Sequence, residues 1–253
     1  MTGPRFYCPV PLEAGTTVDL PEQAAHHALR VLRLRLGDRL TLFNGLGGEY
    51  GARVVCADRA RTRVEVIAWL PVERESPLAV TLVQALQTGE KMDLTVQKAV
   101  ELGVQRIVPV TSRRSVRRLD TERAERRLAH WRGIVVAACE QCGRNRLAEV
   151  EPPLPIDDWL SCPGLQGALR LTLDRAATVG LGSLAGPASG DPVELLVGSE
   201  GGLAPEEARL AEQSGFVPVR LGPRVLRTET AGLAALAAVQ FLWGDLKEET
   251  TDV

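Results

Sequence analysis

From residue 77 onward the chain alternates two patterns: apolar runs short enough for strands, and amphipathic stretches long enough for helices. Residues 78–86 form a near-continuous apolar run, and residues 106–110 form a second. Residues 90–102 carry helical periodicity and stop at Gly103, a residue suited to the left-handed position after a helix. Residues 121–142 predict a long helix closed by Gly143. Further strands are expected over 169–173, 194–197 and 216–221, and further helices over 205–214 and 227–243. Pro205 suits a first helical position, and Gly244 suits a stop. Such alternation over about 175 residues predicts a largely parallel α/β sheet with helices on its faces.

The first 72 residues read differently. A helix is expected over 21–35, followed by strands over 39–43, 49–56 and 63–69. Asn44-Gly-Leu-Gly-Gly48 between two of them is a hairpin signal. Residues 71–77 have no periodicity and read as a linker, which gives a small β domain over 1–72 and an α/β domain over 73–253. The stretch 174–191, rich in Ala, Gly and Ser, reads as an exposed connection.

With 253 residues and 45% apolar content, the chain can bury a substantial core, which excludes wholesale disorder. No apolar run reaches the ~20 residues that span a bilayer, and residues 1–5 do not resemble a secretion signal, so a cytoplasmic location without a membrane is expected. Five cysteines, an odd number, argue against a disulfide framework. Cys139 and Cys142 form one CxxC with no second pair, and the three histidines lack metal spacing, so no metal is expected.

Five segments carry chemistry-bearing residues. In the first, an apolar strand runs into Gly198-Ser-Glu-Gly-Gly202. Glycines allow close backbone approach to a ligand, and strand ends of parallel sheets are where ligands sit. A carboxylate at Glu200 would repel a pyrophosphate, and no GxGxxG is present, which argues against a dinucleotide oxidoreductase. The second segment, Leu221-Gly-Pro-Arg-Val-Leu-Arg-Thr-Glu-Thr-Ala231, also joins a strand to a helix. Thr228 is expected to cap that helix and Glu229 to favour its N-terminus. Arg224 and Arg227 oppose the helix dipole there, which points to another role.

In the third segment, residues 231–243, only Gln240 is polar, so the helix must be covered on most sides by its own chain or by a second subunit. The fourth is a basic run. Eight arginines fall between Arg113 and Arg132, against only three acids, a one-sided pattern that suits a nucleic-acid backbone. Aromatics are 4% of the chain, so phosphate contacts should outweigh base stacking. In the fifth, Lys91 stands at a strand-to-helix junction, able to hold phosphate or a ligand.

Taken in order, His27-Ala-Leu-Arg-Val-Leu-Arg33, Gly89-Glu-Lys-Met92, Gln97-Lys98, Glu101-Leu-Gly103, Ala138-Cys-Glu-Gln-Cys-Gly-Arg-Asn-Arg146 and the two glycine segments resemble the 16S ribosomal RNA (uracil-N3) methyltransferase family. This is the RsmE type of the SPOUT superfamily. The chain departs from the pattern at Ser199, where the family usually has proline, but keeps both glycines and Glu200.

The resemblance implies a PUA-like β-barrel that binds RNA, then an α/β methyltransferase domain with a C-terminal trefoil knot, an exception to unknotted topology. It implies S-adenosyl-L-methionine as cofactor. The residues implied to hold it are Leu173, Val197, Gly198, Glu200, Gly201, Gly202, Leu221, Gly222, Val225, Leu226, Thr228 and Thr230. Arg227 and Glu229 are the expected catalytic pair, Arg227 for charge on the uracil oxygens and Glu229 for the N3 proton. RNA contacts are expected from Arg5, His27, Arg30, Arg33, Lys91, Arg113, Arg114, Arg117 and Arg144. The implied substrate is uridine 1498 (ribosomal RNA numbering) of 16S rRNA or the small ribosomal subunit, and the implied assembly is a homodimer. A non-catalytic RNA-binding assembly factor is the rival of another class, and tRNA is the rival substrate.

Overall fold

The computed structural model describes residues 3–58, 61–115 and 120–247. The chain divides into two compact units. One comprises residues up to Glu75 together with Cys139–Leu147; the other comprises Ser76–Ala138 and the residues from Ala148 on.

The first unit contains β1 (Arg5–Tyr7), β2 (Thr17–Asp19), α1 (Glu22–His26), β3 (Arg39–Phe43), β4 (Glu49–Ala57) and β5 (Thr62–Leu70). They form a five-stranded sheet in the order β1-β3-β4-β5-β2. The β3–β4 hairpin turns through Asn44–Gly48, where Gly45, Gly47 and Gly48 all have positive φ, as the glycine cluster requires. Strands β1 and β2, three residues each, are too short to show alternation and escape a periodicity reading. Phe6, Leu40, Leu42, Val54, Val64 and Val66 build the core.

The helix expected over 21–35 is shorter and of two kinds. After α1 the backbone widens into a π-turn, His27–Val31, in which the Leu32 N–H reaches the His27 carbonyl at 3.0 Å. Arg33, with φ +57°, then ends it. The added residue re-aims the turn, leaving His27, Arg30 and Arg33 exposed while Ala28 stays in the core.

The second unit continues with β6 (Val80–Ala85), α2 (Glu90–Glu101), β7 (Arg106–Thr111), α3 (Thr121–Cys142, whose last residues belong to the first unit), β8 (Glu149–Val150), β9 (Leu154–Pro155) and α4 (Ile156–Ser161). It closes with β10 (Leu169–Leu173), β11 (Val193–Val197), α5 (Pro205–Gln213), β12 (Val217–Val219) and α6 (Thr228–Trp243). The strands pair in the order β12-β10-β11-β6-β7-β8, with β9 also on β7, and every pairing is parallel. Strands β6 and β11 are buried throughout, the signature of a sheet covered on both faces. The short β8, β9 and α4 have no counterpart in the sequence reading. No helix among the described residues is long and apolar enough to cross a membrane.

The stretch read as an exposed connection between β10 and β11 is partly ordered. Leu181 is buried, and Leu181 N–H and Arg220 N–H exchange backbone hydrogen bonds with Arg220 and Val179. In α6 the inward residues Gly232, Ala235, Leu236, Val239 and Gln240 are buried, whereas Phe241 is 58% exposed. The helix is therefore covered on one side by its own chain.

Candidate active site

Strands β10, β11 and β12 end together, and the loops that follow them enclose a cavity of about 790 Å³. This volume lies within the range of small-molecule sites, at the strand ends where open parallel sheets bind ligands. Leu173, Val197, Gly198, Glu200, Gly201, Gly202, Leu221, Gly222, Val225, Leu226 and Thr228 all line it, as do Arg227, Lys91 and Arg114. Thr230 and Glu229, in the first turn of α6, do not.

The first wall is the glycine loop after β11. It folds back on itself, with the Gly202 N–H on the Ser199 carbonyl at 2.8 Å and Ser199 Oγ on the Gly202 carbonyl at 3.2 Å. Ser199 thus serves the turn with its own hydroxyl. A Cβ on Gly198 would sit 2.9 Å from the Gly202 carbonyl carbon and from the Leu203 nitrogen, so only glycine fits. Two of the cations that line the cavity brace the loop. Arg114 donates to the Gly201 carbonyl at 2.6 Å, and Lys91 pairs with Glu200. That contact raises the Lys91 pKa and lowers that of Glu200.

The second wall is the loop after β12. Among the described residues, no hydrogen bond engages the backbone of residues 221–226. Leu221, Gly222, Arg224, Val225 and Leu226 of this loop line the cavity, and their backbone groups do not pair with each other. Gly222, at φ +96° with open space where a Cβ would stand, turns the chain here. Behind both walls, Thr172 Oγ1 is buried without a partner at the cavity surface. Free backbone groups and an orphaned hydroxyl around an apolar floor suit an uncharged, hydrogen-bonding group such as a nucleoside.

Thr228 does not cap α6 through its side chain. Arg227 holds the capping position with extended backbone, its carbonyl taking the Ala231 N–H at 2.7 Å. Thr228 Oγ1 instead donates to the Gly198 carbonyl at 2.6 Å, because the first turn of α6 packs directly on the glycine loop. Glu229 is half-buried, with Oε1 3.6 Å from Lys91 Nζ and Oε2 buried without a partner. Two residues absent from the sequence reading sit beneath it. Gln84, on β6, reaches Thr228 Oγ1 at 3.4 Å. Gln87, with its amide turned to satisfy all its neighbours, donates to the Lys91 carbonyl at 3.1 Å and accepts the Glu229 N–H at 3.2 Å. A glutamine inside the near-continuous apolar 78–86 run was the available signal for Gln84.

Other expected contacts are distributed differently. Arg113 faces Asp157 and Glu206, and its N–H donates to the buried Glu207 at 2.7 Å. Arg117 lies outside the described residues. In the first unit, Arg5 is held by Glu49 and by Asn145 Oδ1 at 2.6 Å, and Arg144, 4% exposed, pairs with Glu75 at 2.6 Å. Both guanidiniums are committed to interior partners, so these two arginines hold the unit together, unlike the exposed RNA contacts expected of them. The residues read as a linker supply Glu73 and Glu75 to this network. None of the five cysteines is in a disulfide, and Cys139 is buried with its thiol donating to the Arg146 carbonyl at 3.6 Å. Among the described residues no group of three or more His, Cys, Asp or Glu is placed to hold a metal.

Comparison with known proteins agrees with this architecture. Residues 74–240 match the model of an RNA methyltransferase domain, and residues 20–65 match that of an RNA methyltransferase PUA domain. The ribosomal RNA small subunit methyltransferase E of Buchnera aphidicola is 33% identical over 243 residues, 96% of this chain and 98% of that protein. The protein of the same name from Mycobacterium tuberculosis is 34% identical, over 96% and 93%. Among solved structures, ribosomal RNA small subunit methyltransferase E of Neisseria gonorrhoeae bound to S-adenosyl methionine superposes with a TM-score of 0.89 at 41% identity, covering 96% of this chain and 99% of that one. A Legionella pneumophila protein described as a methyltransferase, solved with bound SAM, gives 0.92 at 37%, covering 97% and 100%. The chain belongs to the ribosomal RNA small subunit methyltransferase E family.

Proposed function

We propose that this protein transfers a methyl group from S-adenosyl-L-methionine to N3 of one uridine, position 1498, in the 16S RNA of the small ribosomal subunit. The observation that carries the reading is the 790 Å³ cavity walled by the unpaired 221–226 backbone and the Gly198–Gly202 turn, with Arg227 between them. Relatives of the same name act on small-subunit RNA, and two similar structures hold the cofactor.

The residues fit that cofactor. The free amides of 221–226 and the Thr172 hydroxyl suit the adenosine, and Gly198 keeps the wall thin. When bound, the cofactor supplies a methyl group activated by a sulfonium. Uridine N3 carries a proton and attacks poorly until it leaves. Arg227, exposed at the cavity wall, offers positive charge to the uracil oxygens as that proton departs. Glu229, the expected acceptor for the proton, is not among the residues that line the cavity; of the two carboxylates that Lys91 faces, Glu200 lines it and Glu229 is held 3.6 Å from the Lys91 ammonium with Oε2 buried.

The domain division at residue 72, the C-terminal knot, the homodimer and the cytoplasmic location belong to the same proposal, supported by the family. The exposed side of α6 around Phe241 is the surface offered to a second subunit. His27 and Arg30 on the π-turn and Arg33 just after it, with the basic run from Arg113, supply the RNA contacts. The test is to digest small subunits treated with protein and cofactor and identify the modified nucleoside. N3-methyluridine at one site supports the proposal; a C5- or ribose-methylated product overturns the N3 chemistry.

A further inference from the structure

Arg175, Arg220 and Arg224 line the rim of the cavity, where Asp174 also stands, and on their other side they wall an adjoining concavity together with Gly222, Pro223 and Val225. No acidic side chain lines it. All three arginines are exposed, and among the described residues their guanidiniums have no hydrogen bond or ion pair. This sets them apart from Lys91 and Arg114, which are already spent on the glycine loop.

The backbones that present Arg175 and Arg220 are held by hydrogen bonds. Arg220 exchanges hydrogen bonds with Val179 and Leu181 at 3.0 and 3.2 Å. Arg175 sits in a turn pinned by Asp174 Oδ1 on the Ala176 N–H at 2.8 Å. Arg224 follows the positive-φ Gly222 and Pro223. Three cations held close without a counter-ion repel one another, so the arrangement is favoured when an anion lies between them. Val225, 73% exposed, adds an apolar surface among them, which suits a sugar or base rather than a small solvated ion.

We infer that this three-arginine concavity binds the phosphodiesters of the RNA strand flanking the methylated nucleotide, and so feeds that nucleotide into the adjoining cavity. The inference rests on the methyltransferase reading for the identity of the RNA. Guanidinium pairs match phosphate oxygens in bidentate geometry. The same cations also face the carboxylate that an amino-acid cofactor carries, so the test separates the two anions.

Arg175→Gln and Arg220→Gln are made singly and combined, with Arg209→Gln on α5 as the control that matches each single variant in charge at an exposed site. Binding of labelled small-subunit RNA is measured across a salt series, and S-adenosylmethionine binding is measured by calorimetry without RNA. The expected result for the combined variant is RNA affinity about tenfold weaker than the control, with the salt slope reduced by about 2 and cofactor affinity unchanged. Weakened cofactor binding with RNA binding intact overturns the inference in favour of the carboxylate. RNA binding equal to the control overturns it outright. If RNA binding falls as expected while the wild-type protein methylates no small-subunit RNA, the anion site stands and the substrate assignment falls.

Discussion

Thr228 Oγ1 donates a 2.6 Å hydrogen bond to the carbonyl of Gly198, tying the first residue of the last helix to the first residue of the glycine loop. The hydroxyl is buried, so its loss leaves that carbonyl without its partner. Thr228→Val should cost about 1–3 kcal/mol of stability and weaken cofactor binding, whereas Thr228→Ser should restore both. Denaturant unfolding and calorimetric titration check the pair together.

Glycines of the loop should differ sharply in tolerance. Gly198→Ala brings a methyl to 2.9 Å from two backbone atoms, which cannot move without opening the turn. Gly201→Ala meets only the Arg114 side chain, at 3.2 Å. We expect the first to reduce cofactor affinity at least tenfold and the second to change it little. Gly201→Val, at a more crowded size, should still obstruct the cavity. Comparable affinities for Gly198→Ala and wild type would contradict this account of the wall.

Arg227 should separate chemistry from binding. Its carbonyl, not its side chain, starts α6, so Arg227→Ala should leave the helix intact. Methyl transfer should fall about a hundredfold or more, with cofactor affinity nearly unchanged. A wild-type turnover rate in this variant would remove Arg227 from the reaction.

These expectations bear on what the sequence alone could reveal. The parallel sheet was legible because apolar runs and amphipathic stretches alternate over a long span, and both glycine loops were legible because they interrupt it at strand ends. The role of Thr228 was not. A threonine before an acidic residue reads as a cap, and only the packing of α6 on the loop shows the Gly198 carbonyl competing for its hydroxyl. Arg5 and Arg144 were read as RNA contacts because a cation in a motif says nothing about its partner, and Glu49 and Glu75 lie 44 and 69 residues away. Arg175 and Arg220 escaped for the converse reason. They are far apart in sequence, and only the β10 and β12 ends bring them to one concavity.

Glu140 makes a pH prediction within the first unit. Burial raises its carboxyl pKa, although the Tyr7 N–H donates to it at 3.0 Å. A carboxyl whose folded pKa is raised contributes stability when protonated and loses it as pH rises through the folded value. Glu140→Gln keeps an acceptor for Tyr7 without the charge. Its stability advantage over wild type should therefore be largest at neutral pH and shrink as pH falls into the carboxylate range. Unfolding curves at several pH values check the sign; an advantage that grows on acidification would contradict it.

The central claim is tested most directly by incubating the protein with radiolabelled S-adenosylmethionine and small ribosomal subunits that lack the methyl mark, with tRNA in parallel. The account predicts label on small-subunit RNA, absent from tRNA and lost with Arg227→Ala. Cofactor binding without label on the small subunit would contradict the substrate, and absence of cofactor binding would contradict the site itself.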